Sequence, residues 1–189
     1  MTDLMTEQGM IRVPAGAWKV DPAHSSVAFE VRHMMISRVR GQFREFDGTL
    51  EAAADDPANS RVQGSAQVAS IETGNADRDE HLRGPDFFDA ERCPEVHYAS
   101  TRIEHVEGGT YRVTGELTIR DVTREVEMEA MVEGAGEDPW GVEHVGIRVR
   151  GEIDRTDFGL VWQQPLKQGG MLVGEEITIL IDISAVRAS

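Results

Sequence analysis

The sequence predicts an all-β domain: an eight-stranded antiparallel barrel with short helices confined to a flap after the fourth strand. Three observations carry that expectation. From Trp18 onward, apolar and polar residues alternate with period two, the pattern of strands with one buried and one wet face. The strands are long and joined by short turns, and eight of them enclose an interior just able to hold a small apolar ligand. The pattern is interrupted at length only once, from Ser70 to Tyr98. A sandwich of the same strands is the alternative, and no fixed-period repeat points to a propeller or solenoid.

Residues 1–15 lack periodicity and carry Gly9 and Pro14, so they read as a flexible arm ordered only by docking elsewhere, ahead of one domain over 16–189. Trp18-Lys19-Val20 is a short strand and Asp21-Pro22-Ala23 a turn. Val27, Phe29 and Val31 then face one way, Glu30 and Arg32 the other. His33-Met34-Met35-Ile36-Ser37 breaks the period but is apolar, which suits a turn lining a cavity or plugging a barrel end. From Val39 to Ala52 the alternation resumes, with Phe43 and Phe46 out of phase around Arg44-Glu45 as a bulge would place them. Val62, Gly64, Ala66 and Val68 form an inner face of mostly small residues, which leaves room inside.

In the interruption, Asn75 can cap a short helix with Asp77 and Asp79 in its first turn, ended by Gly84-Pro85. Pro85 suits the start of a second helical turn through Asp86-Phe87-Phe88-Asp89, and Cys93-Pro94 returns the chain to extended structure before Val96. Leu82, Phe87 and Phe88 among Asp, Arg and His describe a flap with an apolar underside and a charged rim. Strands then follow through Tyr111–Ile119, Val126–Val132, Val145–Val149 and Ile177–Ile183, the first two as a hairpin turning at Arg120-Asp121.

Composition narrows the function classes. A net charge of -15 repels nucleic acid and anionic membrane surfaces unless a local basic patch overrides the global field. No stretch approaches the roughly 18 apolar residues of a membrane span, so stable membrane insertion is not expected. The first residues show no basic region leading into an apolar run, and the expected location is the cytoplasm. Cys93 is the single cysteine, which rules out an intrachain disulfide. It reads as a structural thiol.

The segments WKVDPAHSSVAFEVRHMMISRVRGQF (18–43), Ser70 to Pro94, VTGELTIRDVTREVEME (113–129), IDRTDFGL (153–160) and VGEEITILIDISA (173–185) together resemble the YceI-like family. That resemblance implies a lipocalin-like barrel whose apolar channel holds a long-chain amphiphile, a polyisoprenoid or fatty-acyl derivative, without established catalysis. It also makes a homodimer an expectation. Its motif falls on His24-Ser25, on Asp79, His81 and Leu82, on Phe87-Phe88 and on Asp157-Phe158-Gly159. Asp121 stands where the family usually has glycine, and Glu91-Arg92-Cys93-Pro94 is more polar than usual.

Channel candidates are Phe29, Val31, Met34, Met35, Phe43, Leu82, Phe87, Phe88, Leu117, Ile119, Met128, Phe158 and Trp162. They are inward residues and residues at breaks in the pattern, where cavity mouths occur. Val27, Val126, Ile177 and Ile179 share the inward face, and a filled core would show the same pattern. For a polar head group the candidates are His24, Arg78, Asp79, His81, Arg83 and Asp157, with guanidinium forks suited to a diphosphate. A capping and ion-pair network holding the flap is the other reading of the flap residues. Asp77, Asp79 and His81, with His24 and His33, could suggest a metal, but i, i+2, i+4 spacing on a helix turns Asp79 away from the other two, so neither metal nor cofactor is expected. A hydrolase is disfavoured because His24 and Ser25 are adjacent on a strand and point to opposite faces. The readings carried forward are a non-catalytic lipid carrier, a protein-interaction barrel with a filled core, and a metal-assisted enzyme.

Overall fold

The computed structural model describes residues 9–188, so residues 1–8 of the expected arm lie outside the described residues. Among these residues eleven strands and one α-helix follow in order: β1 (Gly16–Val20), β2 (Ser26–His33), β3 (Ser37–Phe43), β4 (Phe46–Ala52), β5 (Arg61–Gln67), β6 (Ile71–Glu72), α1 (Ala76–Arg83), β7 (Glu95–Glu107), β8 (Thr110–Ile119), β9 (Val122–Glu137), β10 (Glu143–Asp154) and β11 (Val173–Arg187).

The strands make eight staves of a closed antiparallel barrel. The last strand closes it twice. Near its C-terminus β11 pairs with β1, Ala185 opposite Val20, and nearer its start it pairs with β2, Ile181 opposite Val27. Strands β1 and β2 are thus two halves of one stave, kinked by the 3-10 turn Pro22–His24 that Asp21 caps. The out-of-phase pair Arg44-Glu45 likewise separates β3 from β4, and the turn Val68–Ser70 separates β5 from β6.

Strand β7 restores the count to eight. The sequence pattern does not single it out, because the register shift at Ser100/Arg102 moves the inward parity from Val96 and Tyr98 to Ile103. A bulge inserts one residue, and a period-two pattern read across it cancels.

In the lower half the ring β1-β4-β5-β7-β8-β9-β10-β11 returns to β1 by backbone pairing throughout. Trp18, Tyr111, Val113, Val132, Val145 and Ala185 pack together in its interior. Residues expected in the flexible arm lie against this end: Ile11 N–H donates to Gly108 O at 2.9 Å, Tyr111 O–H donates to Ile11 O at 2.8 Å, and the Trp18 indole N–H donates to Pro14 O at 2.8 Å.

In the upper half β6 pairs only with β3, and the place beside β7 is taken by the flap. Asn75 Oδ1 accepts the Arg78 N–H at 2.9 Å, so α1 starts as its cap residue dictates. Of the two short helices expected in the flap, one forms. After Gly84 the chain folds back, Phe88 N–H donating to Leu82 O and Asp89 N–H to Gly84 O, which turns Phe87 and Phe88 under the flap instead of continuing a helix. These rings pack with Leu82 onto Phe43, Val96 and Leu117.

Candidate ligand-binding site

The inner faces of β4 and β5 carry Gly48, Gly64 and Ala66, with Gly48 directly opposite Gly64. A wall without side chains faces the long apolar residues of β2, β10 and β11, and the volumes do not fill the cylinder. A cavity of about 360 Å³ results, running from Trp18, Tyr111 and Val132 at the lower end to Phe88, Leu160 and Arg155 at the upper. That size lies within the range of small-molecule sites. A Cβ placed on Gly41 would come within 2.3 Å of the Phe29 ring on the opposing residue, so glycine there lets the ring lie flat on the wall.

The upper end is closed by rings. Phe88 meets Phe43 edge-on at 5.9 Å, Phe87 meets Trp162 at 5.5 Å, and His81 meets Trp162 edge-on at 4.8 Å. Beside them Arg155, 4% exposed, reaches the cavity wall. Its Nε donates to Gly174 O at 2.8 Å, and its Nη1 donates to Leu160 O at 2.5 Å and Trp162 O at 3.0 Å. Its Nη2 has only a long bond of 3.5 Å to Val173 O. All four acceptors are carbonyls. Burial draws the Arg155 pKa below the usual arginine value, opposed by the nearby charges of Glu175 and Asp154.

The YceI-like domain family matches residues 18–185. The chain belongs to the YceI-like family. A UPF0312 protein of Photorhabdus laumondii is 35% identical over 175 residues, covering 92% of this chain and 88% of that protein. The YceI protein of Escherichia coli is 31% identical with the same coverage. Among solved structures, the Campylobacter jejuni YceI protein superposes with a TM-score of 0.72 at 26% identity, over 90% of this chain and 97% of that one. A polyisoprenoid-binding domain from Saccharophagus degradans, implicated in plant cell wall breakdown, shares the fold with a TM-score of 0.67 at 12% identity, over 90% and 98%.

In this YceI-like barrel, Phe29, Val31, Phe43, Leu82, Phe87, Phe88, Leu117, Ile119 and Met128 lie on the cavity wall. Four channel candidates do not. Met34 and Met35 have left-handed φ of 52° and 60° in the turn between paired His33 and Ser37, which points them to solvent at 40% and 53% exposure. Phe158 is buried in the packed upper cluster, away from the void, and Trp162 covers Phe87 and His81 from the far side of the flap.

None of the six head-group candidates reaches the wall. Asp79 accepts from the Thr73 N–H at 2.8 Å and from its hydroxyl at 2.5 Å, and Arg78 donates to Thr73 Oγ1 and O. Arg83 donates to Ala69 O and Ile71 O, and His81 is bonded to Asp86 at 2.9 Å. These contacts staple α1 to the segment around β6, the holding role weighed for the flap from sequence. His24 is exposed and bonded to Asp21 at 2.6 Å, and Asp157 is exposed in the turn Arg155–Phe158.

Arg155 is a buried, charged wall residue that sequence reading passed over, although it stands within IDRTDFGL. Parity along β10 could have found it: Ile147, Val149, Gly151 and Ile153 face inward, and Arg155 continues that series. The rest of the motif builds its seat. Asp154 caps the turn through the Thr156 N–H at 2.8 Å, Phe158 anchors it in the core, and Gly159 supplies a φ of 77° that glycine adopts without strain. At the β8–β9 turn the left-handed residue is Arg120, φ 56°, so Asp121 occupies the family's glycine position without needing that conformation.

Proposed function

We propose that this protein binds a long-chain isoprenoid or acyl lipid in the barrel cavity and carries it without converting it. The observation that carries the reading is the continuous apolar cavity with one buried cation among the described residues, Arg155, at its upper end. Each buried methylene contributes about 0.8 kcal/mol, so about ten of them offset the lower part of the 4–15 kcal/mol cost of association. The under-used Nη2 of Arg155 suits a head-group oxygen. A solved neighbour described as polyisoprenoid-binding supports the ligand class. The absence of conversion is supported by His24 and Ser25, which are engaged elsewhere: Ser25 Oγ accepts the Ser184 N–H at 2.9 Å and donates to Ser184 O at 3.2 Å.

Native mass spectrometry of the protein as purified, followed by organic extraction, tests the reading, and the expected result is a stoichiometric long-chain lipid. The variant Gly64→Leu places a side chain in the void, since a Cβ there meets nothing nearer than Asp47 O at 3.5 Å. It should keep the fold and lose about tenfold or more in lipid affinity through lost volume. Apo protein that also refuses added prenyl and acyl lipids overturns the carrier and favours a filled barrel that binds a protein partner.

A further inference from the structure

Two segments that meet at the upper end of the barrel carry none of the chain's 34 acidic residues. Residues 31–41 contain Arg32, Arg38 and Arg40, and residues 158–174 contain Lys167, with no Asp or Glu in either. The fold brings them together at the upper end: Met34 N–H donates to Leu172 O at 2.8 Å, and His33 pairs with Val173. Carboxylates border the corner at Asp157 in the turn before the loop, at Glu30, which Arg38 meets at 3.5 Å and which stands opposite Arg40, and at Glu175 and Glu176.

This acid-free corner is also where apolar side chains stand in solvent. Ile36 is 82% exposed at the β2–β3 turn, with Met35 beside it and Val161 and Met171 exposed on the facing loop. The opposite end offers a contrast. Trp140 is 84% exposed, but its turn is flanked by Glu137, Asp138 and Glu143.

We propose that the Met35-Ile36 tip and the facing loop dock on an anionic lipid bilayer, Ile36 and its neighbours entering the interface while Arg32, Arg38 and Lys167 meet the head groups. A protein of net charge -15 approaches such a surface only by an end whose local charge is positive, which sets the orientation. The tip stands directly above the upper end of the cavity, where Val31, Val173 and Arg155 line the wall. That this contact passes ligand between barrel and bilayer rests on the carrier reading; the contact itself does not.

The test is flotation of the full chain with vesicles of phosphatidylcholine alone and of phosphatidylcholine with phosphatidylglycerol in equal amounts. The expected result is binding to the mixed vesicles that weakens with salt and falls about tenfold in Ile36→Asp and in Arg38→Glu, while Trp140→Asp binds as wild type. Binding of a soluble fluorescent fatty acid is measured in parallel without vesicles. The tip lies off the cavity wall, so Ile36→Asp should retain that signal; its loss from wild type would sink the carrier reading and leave docking standing. Equal binding to neutral vesicles, or indifference to Ile36→Asp, overturns the proposal. So does self-association in solution that Ile36→Asp abolishes when wild type ignores both vesicle types, because the tip then serves a second copy of the chain.

Discussion

Each stave in the lower half of the barrel is joined to its neighbours by backbone hydrogen bonds, whereas in the upper half one pairing is absent and side chains close the gap. Below, Trp18, Tyr111 and Val145 pack at the cylinder axis, and strand pairing resists any opening that does not break several bonds together. Above, Phe87, Phe88 and Leu82 lie across the missing pairing, tethered through contacts of α1 with Ala69, Ile71 and Thr73. Opening there breaks packing but no strand ladder. One cylinder thus has a structural end and a yielding end, and the cavity reaches both.

Substitutions can break or sharpen that contrast. The largest effect is expected from Trp18→Ala. The indole is 1% exposed, bonded to Pro14 O and covered by the Arg187 guanidinium at 4.6 Å from the ring centroid. Its removal should cost about 4 kcal/mol, read as a lowered urea midpoint for the whole domain. Next is Arg155→Met, which leaves the carbonyls of Leu160, Trp162 and Gly174 without their donor and should cost about 3 kcal/mol by the same measurement.

Phe88→Ala should cost about 2 kcal/mol, because the residue is only half-buried, and its distinctive effect should be local. Cys93 reports it. The thiol is buried just after the flap, 3.6 Å from Asp121, and burial, with that carboxylate, raises its pKa. Native-state labelling of Cys93 should therefore be slow in wild type and about tenfold or more faster in Phe88→Ala. Equal acceleration in Trp18→Ala at matched loss of stability would mean that the two ends open together, and the contrast would fail.

The smallest effect is alkaline. Burial pushes the Tyr98 phenol up from 10.0 to about 12, and burial also raises Tyr111. The folded state then holds its phenolic protons where the unfolded chain has lost them. Stability is full below pH 10 and declines as pH rises from there to about 12. Phenolate absorbance should appear only above pH 10 in the folded protein, and Tyr98→Phe should reduce the alkaline loss of stability. Absorbance that rises at pH 10 would show that the interior admits water.

Much of the barrel was legible because its signals are local. Alternation marked the faces of β2, β5, β8, β9, β10 and β11, Asn75 announced α1, and the small residues at Gly64 and Ala66 pointed to unfilled space. The misplaced residues share a different origin. Met34 and Met35 looked like cavity plugs by composition, but a tight turn gave them left-handed backbone and turned them outward. Arg78, Asp79, His81 and Arg83 read from sequence either as a head-group cluster or as a network holding the flap, and which partners they take, Thr73, Ala69, Ile71 and Asp86, is seen only in the fold.

The sequence by itself determined which residues turn inward along the strands without an internal bulge, where the helix begins and where the chain must bend, since these depend on neighbours a few positions away. Tertiary structure decided the rest. That β1 and β2 form one stave, that β6 lacks a second partner and that Arg155 meets the carbonyls of a distant loop are facts of pairing between remote segments. Whether the interior is void or filled depends on volumes summed across all eight staves, and whether Met35 and Ile36 stand beside Met171 depends on the register of β2 with β11. No local pattern encodes either quantity, because each is a sum or an alignment over residues more than a hundred positions apart.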